Sequence, residues 1–310
     1  MAHYSQEKKL QTVVDNLQSN NEGDILLVDG DIVAYRFAYL NEDSFDWGDG
    51  ITTKTSDLTR ATNEAEAFIN HMCTEVGATE IIVFFTPKTS YRKLAFAQYK
   101  ENRDPSKKPE CLGALKEALG DRFFCITREY LEADDLLGMF ATHPDLNDRC
   151  TIATLDKDLD QIPCWHYNWS KEEMNDRFYL PTPEFSRRFL WKQVLMGDTT
   201  DNYKGAYLAG PQKTTRIVGE LHEDCDCYPV VLEAYLRTAQ DIANKLEKAE
   251  EDENEKAIAK LTALPVHDEA YMKQMLICAK MLQYDDYDWV NDDWQLDERE
   301  GLLPNDNDTD

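Results

Sequence analysis

A parallel, doubly wound α/β sheet followed by a helical region is the fold class that three features of the sequence predict. Apolar runs of strand length (ILLV at 25–28, EIIVFF at 80–85, TIATL at 151–155) alternate with stretches of helical spacing. These runs are continuous rather than alternating, as in strands buried on both faces. Acids follow the first and third runs at once, Asp29 in LLVDGD and Asp156/Asp158 in TLDKDLDQ. Carboxylates at strand ends of an open α/β sheet stand where such folds bind ligands.

Each element follows from its local pattern. Residues 1–23 are polar and read as a helix and a loop. The first strand, 25–28, leads into a helix over 32–39, and the Gly/Asp/Thr-rich stretch 41–60 reads as a loop or hairpin. Helical spacing returns over 63–76, and 80–85 is a buried strand. After a basic segment at 88–108 come a helix near 110–119 and a strand over 123–127. Residues 132–140 form a helix with Glu132, Asp134 and Asp135 in its first turn, where acids suit the macrodipole. The strand 151–155 and a short strand pair at 164–180 precede a helix opened by Pro183 and running to 195. From about 206 the chain is mainly helical, and its acidic end, NDNDTD, reads as disordered. The expected division is a core over 1–180, a helical region over 181–300 and a tail over 301–310.

Composition narrows the function. No run of 18 apolar residues is present and MAHYSQEKKL is not a signal peptide, so a soluble, cytoplasmic protein without membrane contact is expected. Eight cysteines without paired spacing read as free thiols, and Cys225, Cys227 and His222 fall short of a zinc set. The net charge of −27 is unevenly spread: residues 220–310 hold 25 Asp+Glu against 8 Lys+Arg. Residues 86–108 run the other way, with Lys88, Arg92, Lys93, Lys100, Arg103, Lys107 and Lys108 against Glu101 and Asp104. A local basic stripe is what a phosphate backbone feels within a Debye length.

Acidic groups recur in order: Asp29; Glu132, Asp134 and Asp135; Asp156 and Asp158; Asp198 and Asp201 in MGDTTDN. Any one pair is an ordinary cap. Three groups plus Asp29, each at an element edge, point instead to a divalent-cation site, and ligation by oxygen alone favours Mg²⁺ or Mn²⁺. The cationic counterpart is YRKLAFAQYKENR. Lys100 and Arg103 stand i,i+3 on an expected helix, where they would draw in a phosphodiester, and Tyr91 or Tyr99 would stack on a base. Arg92, Lys93, Lys107 and Lys108 extend this DNA-binding stripe. After Asp201, Lys204, Gly205 and Gly210 feed a helix opened by Lys213 and Thr214, a phosphate grip independent of sequence. An amphipathic surface helix and an ordinary interhelix turn remain the plainer readings of these two stretches.

Together LLVDGD, FTPKTSYRK, YKENR, KKPECLG, LEADDLLG, LDKDLDQIP, MGDTTDNYKG and KQMLICAKMLQYDDYDW resemble, in that order, the 5′-nuclease family. That family comprises flap endonucleases, the 5′-nuclease domain of bacterial DNA polymerase and phage 5′→3′ exonucleases; the pattern is most like that of T-seven-type phages. The resemblance implies a PIN-like core, a helical arch at about 88–120 and a helix–three-turn–helix at about 196–219. It implies that all eight acids serve two Mg²⁺ or Mn²⁺ ions, directly or through water, and that Lys100 and Arg103 position the scissile phosphate. Gly205, Gly210 and Lys213 would lie in the helix–three-turn–helix, where a monovalent cation is a further expectation. The implied activity is a two-metal 5′→3′ exodeoxyribonuclease on duplex DNA with 5′ ends. Phage roles in primer removal, DNA degradation and recombination, and action on RNA–DNA hybrids, are implied with it. Two alternatives stay open: a structure-specific flap endonuclease, and an acidic DNA mimic. Two departures stand out. The family has an Asp after the second strand where this chain reads Phe85-Thr86-Pro87, a gap that Asp31 would fill. YLAGPQKTT also lacks the glycine run of cellular relatives.

Overall fold

The computed structural model of the protein describes residues 9–20, 23–48, 52–219 and 226–294. The acidic tail and the segment holding His222 and Cys225 lie outside the described residues. Helix α1 (Leu10–Asn20) leads to β1 (Ile25–Asp29), whose five residues are all buried. Next come α2 (Gly30–Leu40), a hairpin of β2 (Glu42–Asp46) and β3 (Thr52–Ser56), α3 (Leu58–Val76) and β4 (Glu80–Phe84). The short α4 (Tyr91–Ala95), α5 (Leu112–Gly120), β5 (Phe124–Ile126), α6 (Ala133–Ala141) and β6 (Cys150–Ala153) follow. The strand pair expected near 164–180 is β7 (Trp165–Tyr167) and β8 (Phe178–Tyr179), with the one-turn α7 (Met174–Arg177) between them. Beyond lie α8 (Pro183–Met196), α9 (Pro211–Val218), α10 (Cys227–Glu251), α11 (Glu255–Thr262) and α12 (Glu269–Ala279). The two-residue strands β9 (Tyr287–Asp288) and β10 (Asp293–Trp294) pair at the end.

The main sheet has the order β5-β4-β1-β6-β7-β8, parallel throughout except for β8 on β7. The chain builds outward from β1 through β4 to β5, then returns to the other side of β1 to lay down β6, β7 and β8. The order therefore reverses between β1 and β6, the topological switch point where open parallel sheets bind ligands. Alternate β1 residues Leu26 and Val28 join a buried cluster with Val33, Phe37, Ile69, Leu115 and Trp169, covering one face with α2, α3 and α5. On the other face α6 packs on β1, β4 and β6, with the Phe84 and Phe140 rings 5.3 Å apart.

Two compact units result. The first holds the sheet and takes in residues up to Tyr91, Asp104–Pro181 and the return from Met281; the second holds Arg92–Arg103 and Thr182–Lys280. Against the expected division, the sheet unit regains the chain after 280, because Gln161 accepts from the Met281 amide at 3.1 Å and Asp135 from that of Leu282 at 3.2 Å. The arch segment is also less helical than expected, with a five-residue α4, turns, and a single 3₁₀ turn at Pro105–Lys107 before α5. Seven described cysteines are free thiols. Among the described residues no helix is long and apolar enough to cross a membrane.

Candidate functional site

In the sheet unit the site begins where β1 ends. Asp29 is both the last residue of β1 and the N-cap of α2, its Oδ1 accepting from the Ile32 amide at 3.2 Å. Its Oδ2 accepts from the Thr154 hydroxyl at 2.9 Å, just past the neighbouring strand β6. Thr154 in turn accepts from the Asp156 amide at 3.0 Å, and Asp156 accepts from the Asp158 amide at 2.8 Å. One chain of hydrogen bonds thus joins three of the expected acids through Thr154, which lies within the apolar run 151–155 and carries no sign of this role in the sequence. Asp29 is buried, and burial, then the charges of Asp31 and Asp156, push its carboxyl up to about 7.

Asp31 lies two residues on, in the first turn of α2. Its Oδ2 accepts from the Thr86 amide at 3.1 Å and its Oδ1 meets the Lys116 ammonium of α5 at 2.5 Å. The carboxylate therefore reaches the segment where Pro87 stands. Thr86 goes on to cap the next acidic element, its hydroxyl accepting from the Ala133 amide at 2.9 Å.

At the start of α6 the three acids divide. Asp135 is fully buried, and three donors share its oxygens: the Tyr91 hydroxyl at 3.3 Å, the Leu282 amide at 3.2 Å and the Glu132 amide at 3.0 Å. That is a structural tie as much as a ligand position. Glu132 is buried and caps the helix, whereas Asp134 keeps partial exposure. Among the described residues no group of three or more Asp, Glu, His or Cys side chains stands ready to hold a metal ion. The donor set is nonetheless all oxygen, and the charge repulsion on Asp29 is of the kind a hard cation relieves.

Within the second unit, residues 92–103 meet the turns after α8. Lys100 does not continue a helix as expected: its φ is 55°, in the left-handed region. Asp201 accepts from Arg103 at 2.6 Å and from the Tyr99 hydroxyl at 3.0 Å, and lies 3.7 Å from the Lys100 ammonium. Asp198 accepts from the Thr200 amide at 2.6 Å and shapes the turn.

Four expected DNA contacts need correction. Tyr91 and Tyr99 are 1% exposed, so neither ring is free to stack on a base; each hydroxyl instead holds a site carboxylate. Arg92 is buried and donates to the Lys280 carbonyl at 2.5 Å. Thr214 is buried and bonds back to Pro211. Aromatic and long basic side chains in a polar run give no hint in sequence that tertiary packing covers them. Lys93, Lys107, Lys108, Lys204 and Lys213 are exposed as expected.

Between α8 and α9 the chain turns at Gly197 (φ 73°) and Gly205 (φ 59°). A Cβ on Gly205 would stand 2.4 Å from the Leu195 carbonyl, so both the conformation and the approach demand glycine. Gly210 has an ordinary φ of −73° and open space around it, so its role is as the N-cap of α9, followed by Pro211 at the first helical position.

The profile of the family described as 5′-3′ exonuclease, N-terminal resolvase-like domain, matches residues 24–180. The exodeoxyribonuclease of Enterobacteria phage T3 is 31% identical over 190 residues, and the exonuclease of Escherichia phage T7 is 30% identical over 189. Both alignments cover 58% of this chain and 62% of the relative, so the chain spans less than two thirds of their length. Among solved structures, the D15 flap endonuclease of bacteriophage T5, in a pseudo-enzyme–product complex with DNA and metal ions, is similar with a TM-score of 0.50. That likeness covers 82% of this chain and 98% of the other at 18% identity, and is one of fold.

Proposed function

The chain belongs to the 5′-3′ exonuclease family, and from that premise we propose that it is a metal-dependent nuclease hydrolysing phosphodiester bonds from the 5′ ends of duplex DNA. The observation that carries the reading is Asp29, a carboxylate at the switch point of a parallel sheet, tied through Thr154 to Asp156 and raised to about 7 by burial first and then by the charges of Asp31 and Asp156. A cation beside a group so placed favours its anionic form and offsets the repulsion of its neighbours. Asp29, Asp156 and Asp158, with Glu132 and Asp134 at the start of α6, are the residues that would hold Mg²⁺ or Mn²⁺, with two ions as the expected number. Bound there, such ions supply a water of lowered pKa and neutralise charge on the phosphate.

The chain's own contribution is placement. Thr154 fixes the Asp29 carboxylate, and the Asp158 amide fixes that of Asp156. Lys100 and Arg103 are the proposed phosphate grip, Arg103 with half its side chain open to solvent. Exposed Lys93, Lys107, Lys108, Lys204 and Lys213 would track the DNA backbone. The DNA-mimic alternative loses ground because Asp29, Glu132, Asp135 and Asp158 are buried, and a mimic displays its acids. Flap cleavage uses the same residues and is separated by product lengths on flap and blunt substrates.

A 5′-labelled duplex digested with Mg²⁺ or Mn²⁺ tests the proposal. Asp156→Ala should lose cleavage yet still bind DNA, and Lys100→Ala should slow cleavage by about a hundredfold or more. Chelation should stop the parent protein. Equal cleavage by parent and both variants would remove the assignment.

A further inference from the structure

We propose that His267, in the loop between α11 and α12, is a positioning residue that holds the α8–α9 turn in the form that meets duplex DNA. This rests on the nuclease reading, in which Lys204 and Lys213 on either side of the turn track the DNA backbone, and deepens it. The His267 imidazole is buried, and both ring nitrogens are engaged. Nδ1 lies 2.8 Å from the Pro265 carbonyl, which can only accept, so Nδ1 carries the proton. Nε2 is then a bare acceptor, and the Tyr207 amide, 60 residues away in sequence, donates to it at 2.9 Å.

The turn needs such a hold. Leu208, next after Tyr207, is left-handed at φ 58° and 64% exposed, so burial of its own side chain does little to offset that conformation. Its neighbours supply the constraint. Ala206 and Ala209 join a buried cluster with Leu195, Tyr235 and Tyr271. The Ala206 amide donates to the Leu195 carbonyl at 2.8 Å, and the Ala209 amide to the Ala206 carbonyl at 3.1 Å. From α10 the Lys245 ammonium lies over the Tyr207 ring, 5.5 Å from its centroid. Of these ties, the one to His267 is the one a proton undoes. An imidazolium bears N–H groups on both nitrogens, so two donors would then face each other at Tyr207.

The titratable groups facing the ring are Asp268 beside it, Tyr235 from α10 and Tyr271 from α12. Burial pushes both phenols up, Tyr271 to about 12, so they stay neutral. Burial also holds the imidazole below its ordinary value, against the pull of Asp268. The hold on the turn is therefore complete above the ordinary histidine value of about 6.5 and is lost as pH falls through the lowered one.

Duplex binding without metal, followed by fluorescence anisotropy at fixed salt from about pH 8 to about pH 5, tests the assignment. The parent's affinity should fall by about tenfold toward the acid end. His267→Gln offers an amide oxygen near the place of Nε2 and gains no proton, so its affinity should stay within about threefold. At neutral pH, His267→Leu should raise KM on 5′-labelled duplex by about tenfold with kcat within about threefold, as loss of uniform binding predicts, and His267→Gln should restore the parent's KM. Nitrogen-15 spectra of the ring should show Nδ1 protonated and Nε2 bare. Amide exchange over 206–209 should quicken by about tenfold in His267→Leu and not in His267→Gln. An equal acid loss of affinity in parent and His267→Gln, a proton on Nε2 at neutral pH, or parental KM and exchange in His267→Leu would each overturn the assignment. Should His267→Leu fail to fold, the pH series and the ring spectra still decide it. Should the parent bind no duplex at any pH, the nuclease reading falls, while ring spectra and exchange still decide whether His267 holds the turn.

Discussion

Ionised Asp29 is disfavoured by folding, because burial removes its water and Asp31 and Asp156 add like charge, raising its pKa to about 7. In the unfolded chain the same group titrates near its ordinary value of about 3.9. The folded state therefore keeps a proton that the unfolded state gives up. Stability from this group is complete below about pH 4 and is lost as pH rises to about 7. Asp29→Asn cannot lose that proton. Metal-free melting temperatures of parent and variant, followed from about pH 4 to pH 8, should diverge in the variant's favour as pH rises. Added Mg²⁺ should recover more of the parent's stability than the variant's, since only the parent presents the charge a cation neutralises. Parallel melting curves across the range would count against the raised carboxyl.

Helix α6 joins the acidic edge to the returning chain, and two positions in it test that role. Asp135 accepts from the Tyr91 hydroxyl and the Glu132 and Leu282 amides, so Asp135→Asn turns an acceptor-only group into one bearing donors of its own toward buried donors. The expected loss is about 3 kcal/mol by denaturant unfolding, with Tyr91→Phe costing about 1 kcal/mol. A Cβ on Gly138 would lie 2.2 Å from the Leu282 carbonyl and 2.8 Å from Ile162, so Gly138→Ala should destabilise by about 2 kcal/mol despite its better helix propensity. A stabilised Gly138→Ala would mean that the return after 280 does not pack here. The strands and α6 were legible because burial on both faces writes continuous apolar runs, and Asp29, Asp156 and Asp158 were legible because they end such runs. The return of 281–294 was not, since it is tied by scattered contacts that carry no period: hydrogen bonds to Gln161, Asp135 and Thr142, the Arg128–Asp292 ion pair, and Trp289 packed on Phe140 and His143. Nor was the burial of Tyr91, Arg92 and Tyr99: the polar spacing of their segment suits a surface helix, and only the tertiary fold covers it.

For the molecule as a whole, a net charge of −27 and the proposed DNA substrate pull in opposite directions, and salt separates them. Exposed Lys93, Lys107, Lys108, Lys204 and Lys213, the proposed backbone contacts, would act at phosphate contact range, where each neutralised phosphate adds about −0.9 to the slope of log K against log salt. The acids of residues 220–310, 25 against 8 basic residues, act only as far as the ionic atmosphere allows. That reach is about 8 Å at physiological salt and about 30 Å at 0.01 M. Binding to a labelled duplex, followed without metal by fluorescence anisotropy, should be linear in log salt near physiological strength. It should bend toward weaker dependence as salt falls to about 10 mM, where repulsion from the acidic region is no longer screened. Lys107→Ala with Lys108→Ala should lower the slope by about 2 near physiological salt, and Arg92→Lys, at a buried site, should leave it unchanged. Replacing Glu247, Glu250 and Glu251 by Gln should partly straighten the low-salt bend without altering the upper slope. A plot linear down to 10 mM in the parent, or a slope indifferent to Lys107 and Lys108, would mean that net charge rather than the local stripe governs the encounter.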